Sequence, residues 1–340
     1  MSSPNNKTKR KRRIVLLAIF LILVFLVAWW SFNPIRTLAS LKKVDDYPLY
    51  LMNWQGGYDS LGLLHNLYEY LFDSNTPAVV PQPACTLYSC CGGGNALYGR
   101  NLDWSYSPAL LLFADPGDAY ASVTLVNIAH LGFRKADGLE IPSWSRRLRL
   151  LLTPGIPYEG INEWGLTIAV ASVPQIDVLV KPELDTLQSL AIIRLVLDRA
   201  KNTEEAVNLM KKYNVNFTPG PPVHYLIADP QGHSCVIEYN EAGIQVLESN
   251  QPWQAATNFY LFDAEDDKKS QCWRYQKTMQ KLAENQGRLT IPESFDLLQE
   301  VSLGNTQWSV VYDMAEREIY VVLAKDFGKI HKFKLNLNKD

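Results

Sequence analysis

The stretch from Ala84 to Trp104, ACTLYSCCGGGNALYGRNLDW, constrains the fold more than any other part of the chain. Two runs rich in apolar and aromatic residues, CTLYSCC and ALYGRNLDW, flank GGGN, and strand patterns on either side of a glycine turn read as an antiparallel hairpin. A phosphate-binding loop would continue into a helix through Gly-Lys-[Ser/Thr]. A strand pattern follows here, so the glycines read as a turn. Folding at GGGN brings Cys85 alongside Arg100, fifteen residues further on, and leaves Cys90 and Cys91 beside the turn. A thiol is mostly protonated at neutral pH and needs a neighbouring base or cation to act as a nucleophile. Arg100 and Asp103 on the partner strand could serve Cys85 in that way. The same spacing equally suits a small buried cysteine next to a surface Arg100–Asp103 ion pair, and spacing alone does not choose between them.

The remaining pattern gives the fold class. ASVTLVNIAHL, YEGINEWGLTIAVASVP and VHYLIADPQGHSCVIEYNEAGIQVLES read as strands, the last with turns at DPQG and NEAG. LDTLQSLAIIRLVLDRAKNTEEAVNLMKKY reads as two helices with NTEE capping the second, and SQCWRYQKTMQKLAENQ as another. QWSVVYDMAEREIYVVLA and IHKFKLNLN close the chain as alternating strands around AERE. Strand blocks enclose a helical block without βαβ alternation. That predicts an α+β architecture with antiparallel sheets rather than a doubly wound fold.

At the N-terminus, IVLLAIFLILVFLVAWW (Ile14 to Trp30) is an uncharged, mostly aliphatic run at the short end of the membrane-spanning range. Six basic residues and no acid precede it (Lys7, Lys9, Arg10, Lys11, Arg12, Arg13), and Trp29 and Trp30 close it like an interfacial anchor. The positive-inside rule keeps residues 1–13 in the cytoplasm, makes residues 14–31 a signal anchor, and places the rest of the chain on the far side. A cleaved signal peptide would have a shorter apolar core and a small-x-small site close behind it. Only Thr37 to Ala39 comes near that pattern, and it is set well back. Residues 32–84 read as a linker followed by a small helical pro-segment, YDSLGLLHNLYEYLFDS, which ends in the Pro-rich NTPAVVPQPA.

Hydrophobic residues make up 47% of the 340 and charged residues 20%, an ordinary globular balance. The net charge of −2 includes the basic tail, so the rest of the chain is acidic and shows no footprint of a nucleic-acid partner. Five cysteines (Cys85, Cys90, Cys91, Cys235, Cys272) leave at least one thiol free or paired outside the chain. There is no C-x-x-C or H-E-x-x-H motif. His233 and Cys235 lie in a strand pattern and read as two side chains of one sheet rather than as metal ligands, and nothing else calls for a metal or cofactor.

The hairpin resembles one seen in a known family. Cys-Thr followed by Gly-Arg-Asn-Leu-Asp is similar to the N-terminal hairpin of the choloylglycine hydrolases, a family that takes in penicillin V acylases and, more distantly, N-acylethanolamine acid amidase and acid ceramidase. The likeness continues in order through GINEWGL (Gly160 to Leu166), HYLIADPQGHSCVIEY, ATNF (Ala256 to Phe259), SQCWRY (Ser270 to Tyr275) and QWSVVYD (Gln307 to Asp313). It implies an N-terminal nucleophile hydrolase domain over residues 85–340, a four-layer αββα sandwich with two antiparallel sheets.

The resemblance also implies roles. Cys85 would be the nucleophile, freed by self-cleavage at Ala84–Cys85 so that its own α-amine is the base. That amine has an ordinary pKa near 8, close enough to neutrality for the task. Arg100 would favour thiolate, Asp103 would orient the amine, and Asn258 would donate to the oxyanion. Asn162 would supply a second polar contact, unless it only caps its turn, and Arg274 would brace the site. The implied activity is hydrolysis of a linear N-acyl amide, a small molecule, through a Cys85 thioester. The alternatives are acyl transfer to an amine and an inactive tethered domain of the same fold. Many relatives lose only an initiating methionine, whereas 84 residues precede Cys85 here. An uncut chain would leave an amide where the base should be.

Overall fold

The computed structural model describes residues 15–16, 32–57, 84–134, 142–263, 269 and 271–336. Two sheets face each other. The smaller has six strands in the order β14-β3-β4-β15-β16-β17: Trp253–Ala256, Ala84–Cys90, Leu97–Asp103, Thr306–Asp313, Glu318–Leu323 and His331–Lys334. All its pairings are antiparallel. β3 and β4 are the hairpin read from the sequence. Cys85 lies opposite Leu102, Leu87 opposite Arg100 and Cys90 opposite Leu97. The connection makes a short 3-10 turn at Gly92–Gly94, where Gly93 takes a φ of 68°, a left-handed conformation that favours glycine.

The larger sheet has nine strands in the order β1-β2-β5-β6-β7-β8-β11-β12-β13. These are Lys42–Asp45, Leu49–Trp54, Ala109–Ala114, Ser122–Asn127, Glu159–Asn162, Thr167–Ser172, Val223–Ala228, Ser234–Asn240 and Gly243–Glu248. The expectation of purely antiparallel sheets needs correcting. β2 runs parallel to β5, and a separate two-stranded piece, β9 (Thr186–Gln188) with β10 (Asn214–Asn216), is parallel too. The parallel pair is possible because β2 reaches the sheet from outside the hairpin order: the hairpin of β3 and β4 in the other sheet lies between β2 and β5 in sequence.

Alternation along the strands assigns each face. Inner faces meet in one core, with Cys85, Leu87, Leu102, Trp308 and Val310 of the smaller sheet packed against Leu111, Leu125, Ile161 and Ala169 of the larger. Outside the smaller sheet, α3 (Trp273–Glu284) and α4 (Ile291–Glu300) cover Tyr88, Cys90, Val311 and Val322 with Leu282, Phe295 and Leu298. Outside the larger sheet, α1 (Ser189–Arg199) packs on β7 and β8, and α2 (Thr203–Met210) follows it. The second helix is capped as read: the Asn202 side chain accepts from Glu205 N at 2.9 Å. The layers run helix, sheet, sheet, helix.

Residues 32–55, expected as a linker, are part of this fold. A helix covers 32–39, β1 and β2 follow, and Leu38, Leu41, Tyr50, Met52 and Trp54 pack with Leu110, Leu112, Leu150 and Leu152 on the outer face of the larger sheet. The domain therefore starts well before Cys85. Among the described residues no helix is long and apolar enough to cross a membrane. The basic tail 1–13, the helix expected over 58–74 and most of the anchor segment 14–31 lie outside the described residues.

Candidate active site

β3 and β4 are neighbours, and odd-numbered residues of β3 share a face with even-numbered residues of β4. Cys85 and Arg100 therefore meet between the sheets, on the inner face and one step apart diagonally. Arg100 Nη2 donates to Cys85 Sγ at 3.7 Å and to Val170 O at 3.4 Å. Its other arm, Nη1, donates to Glu159 Oε1, and the pair is fully buried. Burial works against the charge on Arg100, but Glu159 and Cys85 more than offset it, so the guanidinium stays ionised. Burial pushes the Cys85 thiol up, Arg100 and Arg274 pull it down, and Asp103 adds to the rise. Cys85 is only 1% exposed in this continuous chain.

Asp103 lies opposite Ala84, one position before the thiol, on the outer face of the strand end. It is fully buried rather than part of a surface ion pair. Thr306 Oγ1 donates to Asp103 Oδ1, while Oδ2 has no hydrogen-bond partner and lies 3.9 Å from Arg274 Nη1. Burial pushes the Asp103 carboxyl up, against Thr306 and Arg274.

The backbone of Cys85 is gripped at both ends. Its N–H donates to Asn258 Oδ1 at 2.7 Å, and its carbonyl accepts from Arg274 Nη1. Arg274, near the start of α3, also donates to Thr86 Oγ1 at 3.1 Å and to Asn258 Oδ1 at 3.0 Å. Asn258 Nδ2 donates to Ser172 O at 2.8 Å and to Ser172 Oγ at 3.1 Å. These partners fix which way the amide points: two donors converge on its oxygen and a carbonyl faces its nitrogen. In this uncut chain the amide turns its oxygen to the Cys85 N–H and its nitrogen to Ser172.

Asn162 is not brought to Cys85. Glu159 faces inward on β7, so Asn162, three residues on, faces outward. There Nδ2 donates to Leu197 O at 3.0 Å and to Ala200 O at 2.7 Å, and Oδ1 accepts from Trp164 N and Leu166 N. It closes the β7–β8 turn and ties it to the end of α1. Cys90, Cys91 and Cys235 are also elsewhere. Cys90 faces the opposite side of β3, toward α3 and α4, and Cys91 lies past the strand end with Sγ 4.0 Å from Asp229 O. Burial raises the Cys91 and Cys235 thiols to about 12.

Glu159, Thr306, Trp308 and Ser172 were not singled out in the sequence. Glu159 also accepts from Trp308 Nε1 at 2.8 Å, so one carboxylate links the two sheets beneath the thiol. Among the described residues no group of three or more His, Cys, Asp or Glu could hold a metal ion.

Residues 149–296 match the family model for linear amide C-N hydrolases, choloylglycine hydrolase family. That span contains Asn162, Asn258 and Arg274 and excludes the hairpin. No curated protein matches the chain. Solved structures that share the fold include the following two. A mutant of the conjugated bile acid hydrolase from Clostridium perfringens is 15% identical with a TM-score of 0.55, covering 74% of this chain and 92% of that one. Penicillin V acylase from Agrobacterium tumefaciens is 16% identical with a TM-score of 0.53, covering 75% and 92%. In family model and in fold, the chain resembles the linear amide C-N hydrolases of the choloylglycine hydrolase family, the family its motifs resemble in the same order.

Proposed function

We propose that this protein hydrolyses linear N-acyl amides, with Cys85 as nucleophile after its bond to Ala84 is cut. The observation that carries the reading is the convergence at one residue. The Cys85 thiol meets a buried guanidinium, its nitrogen meets Asn258, and the buried Asp103 carboxylate sits at the Ala84 end with one oxygen lacking a hydrogen bond. A new α-amine there would be a donor beside an acceptor that now lacks one.

The steps follow from those positions. The amine takes the thiol proton, and Sγ attacks the substrate carbonyl. The C–N bond breaks as the amine returns the proton to the leaving nitrogen. Water then adds to the thioester, gives a proton to the amine, and the thiol is restored with release of the acid. Arg100 supports sulfur as charge develops on it. Glu159 holds Arg100 in place, and Arg274 holds the Cys85 carbonyl. The reading also keeps residues 14–31 as a membrane anchor, with the domain on the side opposite the basic tail.

The test is the N-terminal sequence of the expressed protein together with hydrolysis of a panel of linear N-acyl amides. A large fragment starting at Cys85, and amidase activity lost in Cys85→Ala, are expected. A full-length chain that is equally active would overturn the reading. Product analysis with added amines distinguishes hydrolysis from acyl transfer.

A further inference from the structure

The apolar residues exposed on the surface include four carried by two segments that are distant in sequence and touch in the fold. Phe32 and Ile35 are 55% and 54% exposed on the helix 32–39, and Trp144 and Leu148 are 54% and 58% exposed on the segment that opens with the short helix Trp144–Arg147. The two segments share a core: Leu38 and Leu41 pack in one cluster with Leu150 and Leu152. They also touch at the surface, where Arg147 Nη1 donates to Leu38 O at 3.4 Å. Each aromatic ring carries an arginine. Arg36 lies 5.2 Å from the Phe32 centroid and Arg147 lies 4.9 Å from the Trp144 centroid. Arg146 and Arg149 lie on the same segment as Trp144, with Arg149 Nη1 donating to Leu131 O at 3.2 Å, and residues 32–41 and 142–156 contain no carboxylate.

Exposed rings and aliphatic side chains flanked by arginines suit a headgroup layer. There the apolar groups reach the acyl boundary and the guanidinium groups meet phosphate. What covers this face is indicated by the chain itself. The uncharged run Ile14 to Trp30 ends two residues before Phe32, so whatever holds that run is held against this side of the domain. We propose that Phe32, Ile35, Trp144 and Leu148, with Arg36, Arg146, Arg147 and Arg149, form a docking surface for a bilayer containing anionic phospholipid. The proposal rests on reading residues 14–31 as a membrane anchor. It adds that the domain lies down on the bilayer through a defined face instead of swinging on a tether.

The test uses the full chain in nanodiscs of phosphatidylcholine and phosphatidylglycerol. An environment-sensitive dye is placed at Leu148→Cys and, as a control, at Val180→Cys, with signal from unsubstituted protein subtracted. Val180 is 57% exposed beside β12, near the far edge of the nine-stranded sheet. The neighbouring Leu179 N donates to Asn240 O. Brominated lipid is expected to quench the dye at position 148 severalfold more than at position 180, and Arg146→Glu with Trp144→Ser is expected to reduce that quenching without releasing the chain. An anchored chain with equal quenching at both positions would overturn the docking surface and leave the anchor standing. A chain that does not associate with nanodiscs would overturn both.

Discussion

Asp103 is buried, and one of its carboxyl oxygens lacks a hydrogen-bond partner. If it orients the Cys85 amine, Asp103→Asn keeps the shape and removes the charge that supports the ammonium formed during attack. The expected result is a fold of nearly unchanged thermal midpoint with kcat lowered about 10²-fold, the scale of a lost general-base contribution. Wild-type kcat would remove Asp103 from the site. Thr306 gives a finer test. Its hydroxyl stabilises the Asp103 carboxylate, whose pKa burial already raises. Activity that needs the ionised carboxylate falls as pH drops through that pKa. Thr306→Val should raise it further and move the acid limb of kcat/KM to higher pH by about one unit, the worth of a hydrogen bond to a charged group. Thr306→Ser should leave the limb in place, and an unmoved limb in the valine variant would dismiss the role. Cys85, Arg100, Asp103 and Arg274 were legible because a hairpin and a helix start carry them in recognisable words. Glu159 was not: one glutamate in PYEGIN looks like any turn carboxylate until the opposite sheet supplies Arg100 and Trp308. The orientation of Asn258 was equally hidden, because Ser172, which sets it, lies 86 residues away.

At the scale of elements, two-residue alternation decides what a strand residue can do. Asn162 matched a motif, but three positions from an inward Glu159 it must face the helices. Asn162→Ala should therefore cost stability and leave kcat per folded molecule intact. Losing a buried amide with bonds to two carbonyls and two N–H groups is worth about 2 kcal/mol or more, measured by urea unfolding. A fully stable but inactive variant would return Asn162 to the chemistry. The same alternation separates Cys85 from Cys90, so Cys90→Ala should keep activity while exposing a small packing defect against α3 and α4. Most strands and the capped pair α1 and α2 were readable from period and turn residues. α4 carried an equally clear signal that went unread: Thr290 and Glu293 form a capping box with proline in the first turn. β1 and β2 were hidden for another reason. Of their short runs, LYLMNW gains strand character from β5, about sixty residues on, and KKVD only from β2.

For the molecule as a whole, the piece before Cys85 is structural. A cut at Ala84–Cys85 would separate it covalently but not physically. Residues 32–57 contribute two strands to the nine-stranded sheet, and β2 pairs with β5 over six residues from Leu49 to Trp54. Leu38, Leu41, Leu49, Tyr50, Met52 and Trp54 are all buried in the cores. At about 1.5–3 kcal/mol for each large apolar side chain, their burial amounts to roughly 10 kcal/mol before ordering costs. The two products should therefore co-elute under native conditions and part only in denaturant. Weakening the contact at one place, as in Met52→Ala, should lower the denaturant concentration at which they separate, because a core methionine is worth about 2–5 kcal/mol. Products that drift apart in native buffer, with the large fragment still folded and active, would show that β1 and β2 are dispensable.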